Sequence, residues 1–413
     1  MSELNFKRYT IKSIQEALLD TPVVFIMGPR QSGKTTIVRH LINDDWTYVN
    51  LDNETQLNLI KEDPIGFINN LTTRQTAIDE IQRCPELLIA IKRSVDENRE
   101  AGRFLLTGSA NAMLFPQVAD SLAGRIEVIK LEPLSECEIH STAPQFFDKL
   151  LNQDIASIKP NSLNQTSTIE RIVTGCFPEP VRRSSEKRKQ AWYKQYVNAL
   201  VSKDLNDIEH IEQPDKMLDL VKLSAYYSGK LINFSEIGNK LDLSHVSVKK
   251  YLSLLEQLFL LKPLPAWHSN ESKRLIKTPK LHLSDTGLNC AIRDIDANYL
   301  TQHRDEMGNL LESFVINELQ KQAAWYNKSL NFYHYRDKDK VEVDCIIENA
   351  RGDTYAVEVK ASATLTQKDF SGLKRFKELA GDTFKTGIVI YDGEQISAFG
   401  DNLFAVPLST LWS

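Results

Sequence analysis

Cysteine is scarce and scattered. The chain has five, Cys84, Cys137, Cys176, Cys290 and Cys345, among 413 residues. None forms a CxxC pair or a metal-ligand spacing, which excludes a zinc framework and favours free thiols in a reducing compartment over disulfides. No apolar run approaches the ~18 residues that would cross a bilayer. The opening "MSELNFKRYT" lacks the basic-then-apolar order of a secretory signal. Together these absences predict a cytoplasmic protein with no membrane partner. A strong charge of one sign is missing too. The net charge is -5, so bulk charge gives no sign of a nucleic-acid partner.

What is present is an ordinary globular composition, 42% apolar and 25% charged, in a chain long enough for two to four domains. The most specific stretch is "TPVVFIMGPRQSGKTT". An apolar strand runs into Gly28-Pro29-Arg30-Gln31-Ser32-Gly33-Lys34-Thr35-Thr36, and a helical "TIVRHLI" follows. This is the P-loop pattern in its confirming context, strand before and helix after. The glycines let backbone N–H groups wrap phosphates, and the helix N-terminus adds partial positive charge. Lys34 is expected to reach the β- and γ-phosphates of ATP, and Thr35 to hold Mg²⁺.

A P-loop calls for a second acidic strand, and "QTAIDEIQRCPEL" supplies one about 45 residues on. Asp79 is expected to reach Mg²⁺ through water, and Glu80 to polarise the attacking water as a catalytic residue. A buried strand in "RFLLTGSAN" then ends in small polar residues. Ser109 is the expected γ-phosphate sensor, with Thr107 and Asn111 as neighbours. Two readings fit Arg125 in "LAGRIEVIK". One is an arginine finger acting in trans, which would imply a homo-oligomer. The other is a surface arginine in a salt bridge.

Residues 141–168 are polar and irregular and read as a linker. Residues 222–280 hold ten Lys or Arg against four Asp or Glu, a local surplus of +6 inside an acidic whole. Within them, Phe234, Ile237 and Leu241 recur at helical spacing, "DL" turns the chain, and Ser244 can cap a second helix carrying Val248, Leu252 and Leu255. Two short helices and a turn suggest a helix-turn-helix, and "LKPLPAWHSNESKRLIKTPKLHLSD" would be its wing. His245, Ser247, Lys249 and Lys250 would face DNA, largely its phosphates. The same fold can also dock on protein.

Near the end, "VEVDCIIENARGDTYAVEVK", residues 341–360, reads as a hairpin whose turn centres on Arg351. Asp344 would then lie opposite Glu358, with Cβ atoms ~5 Å apart, where like charges are destabilising. Upstream, Glu312 falls in the apolar stripe of the helix "GNLLESFVINEL". Glu312, Asp344 and Glu358 could hold one or two Mg²⁺ ions, with Lys360 orienting a water for catalytic attack on a phosphodiester. Ordinary salt bridges to Lys338, Lys340 and Lys360 would also account for the acids.

Taken together, the chain resembles a family of bacterial and archaeal ATPases that joins an AAA-type P-loop domain to a C-terminal region of formally unknown function. The motifs "GPRQSGKTT", "IDEIQRCPEL", "LLTGSAN", "GCFPEPV", "KTPKLHLSDTGL", "LLESFVINEL" and "EVDCII…YAVEVKAS" carry the resemblance. It implies an α/β multidomain chain with a P-loop AAA-type ATPase over residues 1–140, a linker and helical lid over 141–215 and a winged helix over 216–285. Residues 286–413 would form an α/β restriction-endonuclease-like domain of the PD-(D/E)xK type. It implies phosphate and Mg²⁺ roles for Lys34, Thr35 and Asp79, a catalytic role for Glu80, metal roles for Glu312, Asp344 and Glu358, and the place of the nuclease lysine for Lys360. The proline that names the nuclease motif is Val343 here. The function so implied is ATP hydrolysis coupled to DNA binding, with Mg²⁺-dependent cleavage or a non-cleaving nuclease-like domain as its two forms.

Overall fold

The apolar runs of the first 130 residues assemble into one parallel sheet. In the computed structural model, which describes residues 4–108, 123–160, 166–205, 213–275 and 277–413, its strands are β1 (Val23–Met27), β2 (Trp46–Asn50), β3 (Gln75–Asp79), β4 (Phe104–Gly108) and β5 (Ile126–Lys130). They lie in the order β2-β3-β4-β1-β5. Strand β1 is apolar at every position because clusters of side chains cover the sheet on both faces, Val24 and Ile26 in one, Val23 and Phe25 in the other. Since the strands are parallel, the C-terminal ends of β1, β3 and β4 all lie on one edge. Register puts Met27 beside Gly108 in that edge.

This unit comprises residues 1–134 with 257–259, and all that remains, residues 135–256 and 260–413, clusters as a second one. Residues 141–168 are not all linker. Helix Phe146–Leu151 buries Phe146, Phe147 and Leu150, and Ile155 is buried beyond it.

The second unit has two sheets. Strands β6 (Lys230–Leu231), β7 (Leu261–Leu264) and β8 (Lys280–Leu283) run antiparallel in the order β6-β8-β7. Helices Phe234–Leu241 and His245–Gln257 stand between β6 and β7, where the helix-turn-helix is expected. Asp242, left-handed at φ 53°, ends the first. Ser244 Oγ accepts the Ser247 N–H at 3.0 Å and caps the second. The expected wing is not all strand, since helix Glu271–Arg274 lies between β7 and β8.

The larger sheet contains β9 (Leu330–Arg336), β10 (Glu342–Asn349), β11 (Thr354–Lys360), β12 (Phe384–Tyr391), β13 (Ser397–Ala398) and β14 (Leu403–Pro407), in the order β13-β14-β12-β11-β10-β9. Strands β9 to β11 form an antiparallel meander. Helix Ser371–Ala380 then crosses over to place β12 parallel to β11. The two sheets are tied by backbone. Trp267 N–H donates to His334 O at 2.7 Å, and His334 N–H to Pro265 O at 2.8 Å. Such long-range ties explain why the parts beyond residue 134 are not separate.

A buried polar hub anchors this unit and gives a physical role to "GCFPEPV" and "KTPKLHLSDTGL". Asp285 caps helix Thr286–Ile292 by accepting Leu288 N–H at 3.0 Å, and its other oxygen accepts Cys176 N–H at 2.7 Å. Tyr193 donates to Thr174 O at 3.1 Å beside it. Further along, Glu318 accepts Glu136 N–H with both oxygens at 3.1 Å and Gln322 Nε2 at 2.8 Å. Burial nonetheless pushes the Glu318 carboxyl up from 4.5 to about 7, although Lys321 acts against it. A carboxyl raised on folding binds a proton that the unfolded chain releases. Its contribution is therefore full below about pH 4.5 and is lost as pH rises through about 7. We expect the melting temperature of this unit to fall between about pH 4.5 and 7 and to level off above that, and Glu318→Gln to flatten that fall. Parallel pH profiles for the two proteins would remove Glu318 as its source.

Candidate functional site

The strand-to-helix turn after β1 forms the first site. Gly33 has φ 100°, a conformation that L side chains rarely adopt, and it opens helix Lys34–Leu41. Ser32 and Lys34 are buried, Thr35 is half-buried, and Arg30, Gln31 and Thr36 are exposed. The Lys34 ammonium donates to the carbonyls of Gly28 at 3.0 Å and Pro29 at 2.9 Å, within the loop it would leave to meet a phosphate. Ser32 Oγ is buried with no hydrogen-bond partner among the described residues. An unpaired donor in the turn that opens a helix suits an anion.

Asp79 ends β3 on the same edge. One carboxylate oxygen accepts from Tyr48 OH at 2.9 Å and the other from the Thr107 hydroxyl. Burial, with Asp79 alongside, pushes the Tyr48 phenol up to about 12, so it stays a donor. A carboxylate fixed in this way suits a cation reached through water, and with Thr35 at the helix start these residues fit the Mg²⁺ of an ATP complex. When bound, that ion would neutralise charge on the β- and γ-phosphates. Glu80 is left-handed at φ 60°, with its N–H on Thr107 Oγ1 at 3.1 Å and its carboxylate beside Gln82 Nε2. Thr107 therefore ties the acidic pair to β4, the strand next to the P-loop strand.

The expected sensor Ser109, and Asn111 with it, lie outside the described residues. Arg125 does not join this site. It precedes β5, whose start pairs with Val23, so it lies at the opposite end of the sheet, ~16 Å away along a five-residue strand. Its guanidinium binds Asp96 at 2.5 Å, which fits the surface salt-bridge reading. Sequence reasoning missed Arg8. It is buried and donates to Ser32 O and Glu132 O, both at 2.7 Å, bracing the P-loop from before the first helix. An isolated arginine gives no local signal of such a contact.

The second site lies in the C-terminal sheet. The hairpin register is as read. Cys345 pairs with Val357, which sets Asp344 opposite Glu358. Glu312, from helix Met307–Ala324, comes to the same place. At the centre, however, is the ammonium of Lys280 from β8, only 2% exposed. It lies 2.8 Å from Glu312 Oε1 and 3.4 Å from Asp344 Oδ1, and it also binds Glu342. Lys360 binds Glu358 at 2.7 Å. Two lysines thus offset the charge of the paired acids. Among the described residues no group of three His, Cys, Asp or Glu side chains is arranged to hold a metal ion. The donor set does not fit Mg²⁺, and no chemical step is derived through it.

The electrostatics agree with that geometry. Burial by itself would lower the Lys280 ammonium, but Glu312, Asp344 and Glu342 outweigh it and hold the group well above its ordinary value. Burial, then the charge of Asp344, pushes Glu358 up to about 8. Burial and Lys280 push His282 down to about 3, so its imidazole is neutral. Glu342 carried a signal that went unused, since it alternates with Asp344 onto one strand face. Lys280 was hidden by its place in a segment read as a wet wing.

In the middle region His245, Lys249 and Lys250 are exposed and Ser247 is half-buried. They share the first turns of helix His245–Gln257. His245 meets the Phe234 ring edge-on at 5.3 Å.

Comparison with known proteins agrees with the N-terminal geometry. Residues 20–140 match the family described as AAA domain. Residues 165–299 and 307–411 match two families described as domains of unknown function, DUF8612 and DUF4143. An uncharacterized protein of Mycobacterium tuberculosis is 27% identical over 406 residues, 97% of this chain and 83% of that one. Among solved structures, RuvB of Thermotoga maritima is similar at TM-score 0.30 and 16% identity, covering 63% of this chain and 90% of its own. The DNA clamp loader delta protein of Bacillus subtilis is similar at TM-score 0.26 and 11% identity, covering 75% and 99%. The chain thus carries an AAA-type P-loop domain, which supports nucleotide-dependent activity. Among the described residues no helix is long and apolar enough to cross a membrane.

Proposed function

We propose that this protein is an ATP-hydrolysing switch whose nucleotide state governs contact with DNA. The observation that carries the reading is the P-loop and the Asp79-Glu80 pair on one edge of a parallel sheet, in a segment that matches the AAA domain family. Lys34 and the loop N–H groups bind the phosphates, Thr35 and Asp79 serve the Mg²⁺ position, and Glu80 orients the attacking water.

The DNA contact is assigned to a winged helix built from the helices Phe234–Leu241 and His245–Gln257 with β6, β7 and β8. Support comes from the element order and from exposed Lys249 and Lys250. The +6 surplus of residues 222–280 includes Lys280 and Arg274, which pair with Glu312, Asp344 and Glu348. The meander and crossover of β9 to β12 support a nuclease-like fold for the C-terminal region. The Lys280 cluster favours its non-cleaving form. Arg125, paired with Asp96 at the far end of its sheet, adds no support for an assembly.

Fluorescence anisotropy with a labelled duplex, in ATP and in ADP over a range of salt, tests this. Lys249→Glu with Lys250→Glu is expected to weaken binding at least ~10-fold and to reduce the log–log salt slope by about 2. Binding that is weak, insensitive to salt and indifferent to nucleotide would transfer the helix pair to a protein partner.

A further inference from the structure

We propose that Lys280 is the resident cation of the C-terminal carboxylate cluster, occupying the position a divalent ion would need, so that this domain works without metal. The inference stands on side-chain geometry and is independent of the DNA-binding reading.

Four carboxylates converge there, Glu312, Glu342, Asp344 and Glu358, against two ammonium groups, Lys280 and Lys360. Arg336 touches only Glu342, at 3.3 Å from the cluster's rim. Counted as groups the cluster is acid-rich, four carboxyls against Lys280, Lys360 and Arg336 at its rim. Burial nevertheless keeps part of that acid capacity protonated, Glu358 being pushed up to about 8. An acid-rich pocket is the design of a cation site. Here its centre is taken. An ammonium has three donors, and those of Lys280 face three different carboxylates, so its capacity is used. The other oxygen of Asp344 accepts the Val359 N–H at 2.9 Å, so a divalent ion at Asp344 would have to share oxygens that Lys280 binds. A hard cation would need them at roughly 2.0–2.6 Å, with a buried positive charge beside it.

The cluster also keeps unused polar capacity. Glu358 Oε2 and His282 Nε2 are buried without hydrogen-bond partners among the described residues. His282 lies on β8 two residues beyond Lys280, and its Nε2 is 3.9 Å from Glu312 Oε1. Removing the lysine therefore leaves an oxygen and nitrogen donor set rather than an apolar hole. The same residue that excludes metal also joins the two sheets, since Lys280 belongs to β8 while Glu342 and Asp344 belong to β10.

The test is Mn²⁺ binding to the full chain without nucleotide, followed by electron paramagnetic resonance. Four proteins are compared: wild type, Asp344→Asn, Lys280→Ala and the Lys280→Ala/Asp344→Asn pair. Any Mn²⁺ on the wild type should be unchanged by Asp344→Asn. Lys280→Ala should gain a site at least about tenfold tighter than any that wild type has, with a metal-dependent rise in melting temperature, and the second substitution should abolish both. Two results would overturn the proposal: wild-type Mn²⁺ that Asp344→Asn removes, or folded Lys280→Ala that gains none. Should Lys280→Ala fail to fold, the wild-type and Asp344→Asn comparison still decides.

Discussion

Glu80→Gln is expected to reduce ATP turnover at least ~100-fold, the usual range for a positioned base, while nucleotide affinity stays within about threefold. The change keeps shape and removes charge. Backbone placement survives, because the left-handed turn at Glu80 is held by its own N–H on Thr107 Oγ1, a bond that does not involve its carboxylate. The Gln82 contact can re-form with an amide. What is lost is the negative charge to which the proposed function assigns the orienting of the attacking water. Lys34→Ala should behave differently, losing nucleotide binding and turnover together, because the ammonium meets the phosphates in both ground and transition states. Steady-state hydrolysis beside direct nucleotide titration separates the two effects. A Glu80→Gln protein that hydrolyses ATP at the wild-type rate would move the catalytic role to another side chain.

The second large effect concerns stability. Gly175→Ala should destabilise the second unit by about 3 kcal/mol or more. Gly175 has φ 66° and ψ -165°, a region open almost only to glycine. A Cβ there would stand 2.1 Å from Asp285 Oδ1 and 2.3 Å from Tyr193 OH. Neither neighbour can retreat freely. Asp285 is fixed by the N–H groups of Leu288 and Cys176, and Tyr193 is buried. Backbone strain and the displaced carboxylate therefore add. Calorimetry should show the transition of this unit lowered by roughly 5–10 °C, and a shift under about 1 °C would mean that the hub is far more plastic than its packing suggests. Gly175 opens "GCFPEPV" and Asp285 lies in "KTPKLHLSDTGL", so these two motifs meet in the core and need no ligand to account for them.

Some of this was legible in the residue order. The P-loop is a contiguous pattern whose flanking strand and helix are set by local periodicity, and β1 and helix Lys34–Leu41 lie where that pattern places them. The opposition of Asp344 and Glu358 also followed from the sequence, because a period-two alternation on each side of a turn fixes register. The pairing of helices Phe234–Leu241 and His245–Gln257 was readable for the same kind of reason, through a helical stripe interrupted by a short turn with a capping serine.

The partners of those charges were not legible. Asp344 and Glu358 were correctly placed side by side, yet the neutralising cation comes from Lys280, 64 residues away from Asp344 and 32 from Glu312. Parallel register places Arg125 at the far end of its own sheet beside Asp96, a contact that its local sequence did not signal. Arg8 reaches across 124 residues to the Glu132 carbonyl. Local spacing determines which face of a strand or helix a side chain occupies, because backbone geometry repeats every two residues or every 3.6. It cannot determine what lies opposite that face once sheets and helices pack. The sequence alone therefore determined the nucleotide-binding loop and the meeting of the two acids. Only the tertiary structure decided that a lysine stands at the centre of those acids, since an ammonium and a metal ion satisfy the same excess of negative charge.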